Sequence, residues 1–162
     1  MKTLLVMRHA KSSWKNPSLD DHDRPLKKRG RRAAPRMGKL LLAENLVPDK
    51  VVCSTAVRAL ETARLVAEAC GYQGPVQSLR ELYLAAPESY IDAVQQIGEA
   101  PGRVLLIGHN PGLEQLVEGL SGRTLELPTA ALVLIRLPIE RWGAARLDGR
   151  GELVQSWTPK GL

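Results

Sequence analysis

Phenylalanine is absent from this 162-residue chain, and aromatic residues make up only 4% of it. The core must therefore be aliphatic, and the aromatic platforms used by single-strand nucleic-acid binders are scarce. Cysteine is nearly absent too. Cys53 falls in an apolar strand-like run and Cys70 at a helix end, too few for a disulfide framework and suited to buried, reduced thiols of a cytosolic protein. No apolar run approaches transmembrane length. Leu4–Met7 after Lys2 is too short for a signal-peptide core and is broken by Arg8, so a soluble, cytoplasmic protein with no membrane partner is expected. HxH, HExxH and CxxC are missing, which argues against a metal, and no cofactor is expected. Repeats, low-complexity segments and linkers are missing as well. The length suits one substantial core, so residues 1–162 are read as a single domain. Acids are outnumbered: 23 Lys and Arg against 17 Asp and Glu leave a net charge of +6. That balance favours acidic partners such as phosphate esters, phosphoproteins or nucleic acid.

What is present is a rhythm of short apolar runs and helix-period segments. Thr3–Met7, Lys50–Cys53, Val76–Leu79 and Val104–Gly108 read as strands. Ala131–Leu137, Gly143–Leu147 and Leu153–Trp157 follow as strands near the C-terminus. Apolar residues recur at helical spacing from Lys28 to Asn45, where Pro35 should start or kink the helix. The same spacing runs from Val57 to about Cys70, stopped by Gly71, then from Pro87 to Gly98, and through Leu113, Leu116, Val117 and Leu120. Asn16–Pro25 is polar and reads as a loop. The alternation predicts an α/β three-layer sandwich: a mostly parallel central sheet with helices on both faces and an antiparallel C-terminal edge.

Chemistry gathers at the strand ends, where open α/β sheets bind ligands. Arg8-His9 follows the first strand. His can serve as a covalent nucleophile, and Arg is the planar clamp for phosphate. Gly108-His109-Asn110-Pro111 follows another strand, with Pro111 suited to the first turn of the next helix, a natural anion site. Ser54 fits an N-cap after a third strand, and Arg58 lies one turn into the following helix, able to point back to the sheet edge. His22 sits in a charged loop and reads as solvent-exposed. Glu81 lies in a loop between apolar segments and could donate a proton if desolvation raised its pKa.

Met7-Arg8-His9-Ala10-Lys11, Arg24-Pro25-Leu26 with Gly30, Ser54 with Arg58-Ala59 and Glu61-Thr62-Ala63, and Gly108-His109-Asn110-Pro111-Gly112 together resemble the histidine phosphatase superfamily, of phosphoglycerate-mutase-like fold. The Arg-His-Ala-Lys-Ser opening looks like its SixA-type phosphohistidine phosphatase branch. The resemblance runs from the first strand to about Thr129-Ala130. It implies a metal-independent phosphatase in which His9 attacks phosphorus and carries the phosphoryl group. Arg8, Arg58 and His109 would hold the equatorial oxygens, and water would then release phosphate. Two arginines and an imidazolium at His109 would keep His9 neutral. By family position Glu81 corresponds to the acid that protonates an alcohol leaving group. Two departures stand out: Ala10 replaces the usual glycine, and Lys27 replaces a threonine whose hydroxyl would cap a helix.

Only residues 12–23 form a long loop near the site, and the 50 residues between Arg58 and His109 leave no room for a lid. An open basic site suits a phosphorylated protein, such as a phosphohistidine domain, better than a small phosphorylated molecule. A small-molecule phosphomonoesterase using Glu81 is the main rival. A nucleic-acid-binding module built on Lys27-Lys28-Arg29-Gly30-Arg31-Arg32 is the rival of another class. It is disfavoured because that run reads as a solvated helix face without aromatic neighbours.

Overall fold

A computed structural model describes residues 1–161. The chain alternates strand and helix: β1 (Lys2–Arg8), α1 (Lys28–Ala43), β2 (Lys50–Ser54), α2 (Val57–Cys70), β3 (Val76–Leu79), α3 (Pro87–Gln95), β4 (Arg103–Gly108), α4 (Gly112–Ser121), β5 (Leu132–Leu137) and β6 (Glu152–Trp157). The sheet order is β3-β2-β4-β1-β5-β6. β3, β2, β4 and β1 run parallel, and β5 and β6 are antiparallel to their neighbours. This is the expected α/β sandwich of phosphoglycerate-mutase-like type, with the antiparallel edge where the C-terminal pattern put it.

The near-continuous apolar strands follow from burial on both faces. Side chains alternate across the sheet. Leu4, Val6, Leu106 and Val133 face α3 and α4, while Leu5, Met7, Ile107 and Leu132 face α1 and α2. Small residues set the second layer's spacing: Gly38 of α1 lies against Val66 and Ala69 of α2, where a Cβ would collide. Gly71 closes α2 in the left-handed conformation, as expected for a glycine stop.

Several expectations are corrected. α1 begins at Lys28 and runs through Pro35, so Pro35 does not start the helix. Gly143–Leu147 contains no strand; Trp142–Ala144 is a single 3-10 turn. The buried Trp142 ring pins that turn, its Nε1 donating to the Pro101 carbonyl at 2.7 Å. A side-chain anchor of this kind imitates a short apolar strand in sequence but makes no ladder. No helix is long and apolar enough to cross a membrane among the described residues.

Candidate active site

Strand register brings the two histidines together. Arg8 pairs with Gly108 across the parallel β1–β4 ladder, so His9 and His109 leave the sheet side by side. The His9 N–H donates to the Gly108 carbonyl at 3.1 Å, and the ring centroids lie 5.2 Å apart. On the other side of β4, Cys53 pairs with Ile107, which sets Ser54 at the same level. α2 starts just after β2, and Arg58 on its first turn is carried back over the sheet edge with only 3% exposure. Arg8, His9, Arg58 and His109 line one cleft of about 210 Å³.

The protonation of His9 follows from one contact. Its Nδ1 is 2.7 Å from the Ala10 carbonyl oxygen. A carbonyl can only accept, so Nδ1 carries the hydrogen and Nε2 of the neutral ring carries the lone pair. Burial pushes the His9 pKa down to about 4, against the pull of that carbonyl and with the help of Arg58, Arg8 and Arg24. Ala10 is itself held: its N–H donates to Thr62 Oγ1 at 3.0 Å. The usual glycine's conformational freedom is not needed at Ala10, which has no positive φ.

His109 departs from the expected imidazolium. Burial first, then His9 and Arg58, push its pKa down to about 3, so it is neutral in the free protein. Its tautomer follows from counting donors around Ser54. Ser54 is fully buried; its Oγ accepts the Ala56 N–H at 3.1 Å and lies 2.8 Å from His109 Nε2. No other acceptor meets the Ser54 hydroxyl among the described residues, so its proton goes to Nε2. The ring hydrogen is then on Nδ1, which is buried and has no partner. Ser54 is therefore no helix cap: Ala56 occupies that position without a side-chain bond.

Two site residues had been given no role by sequence. Arg24 is 6% exposed and reaches the cleft because the two arms of the preceding loop pair, Ser12 with Leu26. Gly30 makes this approach possible, since a Cβ there would collide with the Lys11 backbone. Arg24 donates to Ser12 Oγ at 2.8 Å, and its guanidinium stacks 3.4 Å from the Trp14 ring centroid. Asp21 is the second. Its carboxylate takes Arg24 at 3.1 Å and Arg58 at 3.0 Å and also accepts the Tyr83 hydroxyl. These bonds outweigh its partial desolvation and hold its carboxyl down to about 2. Arg24 was visible as part of a motif; Asp21 carried no signal in its polar loop. His22 is not simply exposed: its Nε2 meets Thr55 Oγ1 at 2.9 Å, and its ring packs edge-on against Tyr83.

Glu81 stays outside this group. It is exposed on the 3-10 turn Arg80–Leu82 and lines a different depression, with Asp92 and Gln96. The cleft therefore combines an imidazole lone pair, three guanidinium groups and one unspent imidazole N–H. That set suits a tetrahedral oxyanion.

Comparison with known proteins gives the same direction. Residues 4–96 match the model of the histidine phosphatase superfamily, branch 1. An uncharacterised Mycobacterium tuberculosis protein is 33% identical over 142 residues, covering 81% of this chain and 87% of its own length. An uncharacterised chloroplastic protein of Arabidopsis thaliana is 30% identical, covering 99% and 77%. Among solved structures, a SixA assigned as a phosphohistidine phosphatase from Agrobacterium tumefaciens superimposes with a TM-score of 0.82 at 26% identity, covering 98% of both chains. The chain belongs to the histidine phosphatase superfamily, branch 1, in its SixA-type form, and the activity class it carries is that of a phosphatase.

Proposed function

We propose that the protein removes phosphate from phosphohistidine in a protein through a covalent phosphoenzyme on His9. The observation that carries this is the Ala10 carbonyl on Nδ1, which leaves Nε2 as a neutral nucleophile facing a cationic cleft. In the first step Nε2 attacks phosphorus as the P–N bond to the substrate imidazole breaks. The P–N electron pair stays on the leaving nitrogen, and because the other ring nitrogen of the substrate already carries a proton, the imidazole leaves as the neutral ring. In the second step water attacks the phosphorus on His9, inorganic phosphate departs, and the free imidazole returns.

Arg8, Arg58 and His109 hold the equatorial oxygens, and Arg24 adds a fourth cationic or polar contact at the rim. Buried nitrogens support this allocation: Arg8 Nε, Arg58 Nε and His109 Nδ1 have no partner, so donors remain for an incoming oxyanion. Neutral His109 is suited to the work, because a donor without charge leaves His9 unprotonated until substrate arrives. Arginines neutralise the developing charge, and the scheme needs no metal ion. A SixA protein of similar fold, with a TM-score of 0.84, is known in complex with tungstate, a phosphate-like oxyanion.

The choice of a P–N substrate rests on what the cleft lacks among its lining residues. Glu81 lies elsewhere, and Asp21, held near pKa 2, is ionised at neutral pH and cannot protonate an alkoxide. A phosphoramidate needs little acid help, whereas an alkyl ester needs a donor. The cleft's 210 Å³ is also below the roughly 300–1,000 Å³ that encloses a small metabolite, which favours a phosphoryl group presented by a protein surface.

The test is trapping. The protein is incubated with a labelled phosphodonor, quenched in alkali and mapped. An alkali-stable, acid-labile phosphoryl group on His9, absent in His9→Ala, is expected; label elsewhere would refute the mechanism. A panel of phosphohistidine, phosphoramidate and alkyl monoesters then separates the P–N reading from that of a small-molecule phosphomonoesterase.

A further inference from the structure

The catalytic cleft is the middle of three joined depressions. Lys11 and Thr129 line both the cleft and a groove of about 340 Å³ on one side. Trp14 lines both the cleft and a groove of about 530 Å³ on the other. The first groove carries Lys11, Arg29 and Lys160; the second carries Lys15, Lys27, Lys28 and Arg31. No Asp or Glu lines any of the three, whereas depressions elsewhere hold Glu140 and Asp148 or Glu81 and Asp92. None of the seven groove cations is ion-paired among the described residues.

Their placement runs against helix stability. Lys27 is the N-cap of α1, and its first turn holds Lys28, Arg29 and Arg31 with no acid at all. The N-terminal end of a helix disfavours cations and prefers carboxylates. Cations gathered there, unpaired and around a phosphate-binding cleft, serve a ligand better than they serve the fold.

We propose that these two grooves dock an acidic polypeptide segment, with carboxylates on both sides of the phosphorylated residue held in the cleft. This rests on the phosphoprotein reading above and adds the chemistry of the flanks. A peptide is favoured over nucleic acid by the groove walls. Ala33, Pro128 and Pro159 on one side, and Pro25 and Leu26 on the other, offer aliphatic contact. Trp14, 73% exposed, is the aromatic present, and one face of it is already covered by Arg24. Single-strand binding relies on free stacking faces.

The test combines binding with turnover. Fluorescein-labelled, unphosphorylated His peptides flanked by Glu or by Gln are titrated by anisotropy. Their chemically phosphorylated forms are used as substrates, beside phosphoramidate itself. The variant is Lys15→Glu/Lys27→Glu/Lys28→Glu; acids at positions 27 and 28 suit the start of α1, position 15 is exposed in the preceding loop, and folding should stay intact. The Glu-flanked peptide is expected to bind about tenfold tighter and to turn over with a correspondingly lower KM at low salt. That preference should vanish at high salt, where surface charges are screened, and should fall severalfold in the variant, which removes the cations of one groove and leaves Lys11, Arg29 and Lys160 in the other, with phosphoramidate turnover unchanged. Equal binding of the two peptides, or a preference undiminished in the variant, overturns the proposal. So does displacement of the acidic peptide by a lower concentration of single-stranded oligonucleotide than of unlabelled peptide, which would assign the grooves to nucleic acid. Loss of phosphoramidate turnover by the wild type counts against the phosphatase mechanism instead, since the anisotropy readout does not depend on it.

Discussion

Replacing Ser54 by alanine tests the link between a buried hydroxyl and the chemistry beside it. The Ser54 Oγ to His109 Nε2 distance is 2.8 Å, and both residues are buried. Losing a neutral buried hydrogen bond is worth about 1–1.5 kcal/mol, so the preference for the Nδ1–H tautomer should fall by about tenfold. Turnover of phosphoramidate should fall by a similar factor. That is less than the roughly 10²–10³ lost when a transition-state donor is deleted outright, which is the expected range for His109→Ala. Stability should fall by about 1–3 kcal/mol, because the Ala56 N–H and His109 Nε2 both lose their partner. Two-bond ¹H–¹⁵N spectra of the imidazoles distinguish the tautomers directly, and Ser54→Thr keeps the hydroxyl as the conservative control. A wild-type His109 protonated on Nε2, or a Ser54→Ala protein with unchanged tautomer and rate, would refute the reasoning.

Other expectations follow from the same structure. His9 and His109 have folded pKa values of about 4 and 3, below the unfolded value near 6.5. The unfolded chain therefore binds more protons as pH falls below 6.5, and stability, complete above that value, should drop by roughly 2 kcal/mol per histidine by pH 5. Urea unfolding at pH 7 and pH 5 measures this; equal midpoints would contradict burial as neutral rings. The depressed carboxyl of Asp21 acts in a separate window, its contribution lost as pH falls from about 4 through about 2. Gly30→Ala should cost about 1–3 kcal/mol, as overpacking does, because the added Cβ meets the Lys11 backbone; chemical denaturation reads it. Glu81→Gln should leave phosphohistidine kcat/KM unchanged, and a steep loss would return that carboxylate to the mechanism. Burial pushes the Cys53 thiol up to about 12 and raises that of Cys70, so a thiol reagent at pH 8 should modify neither until the protein is unfolded.

The apolar runs ending in Arg8-His9 and Gly108-His109 were legible because a strand buried on both faces must be continuously apolar. The first polar residue then marks the sheet edge. The four helices were legible from their period, and Arg58 from its place one turn after a strand. A family pattern in these residues supplied a mechanism to expect. What lay beyond the sequence was lateral. The pairing of Arg8 with Gly108 that sets the histidines abreast, and the junction of Ser54 with His109, join segments distant in the chain. Local periodicity carries no information about such contacts. Asp21 and Tyr83 are polar residues in loops and differ from any others until the fold brings them onto Arg58. Charge states were also decided by the tertiary structure. The sequence offered His109 as a cation among arginines, but enclosure removes the water that would stabilise that charge, and the folded protein holds it as a neutral donor. The sequence by itself determined which chemical groups stand at the edge of the sheet. Only the packed structure decided which of them meet and which proton each one keeps, because desolvation and hydrogen-bond partners exist only once the strands are side by side.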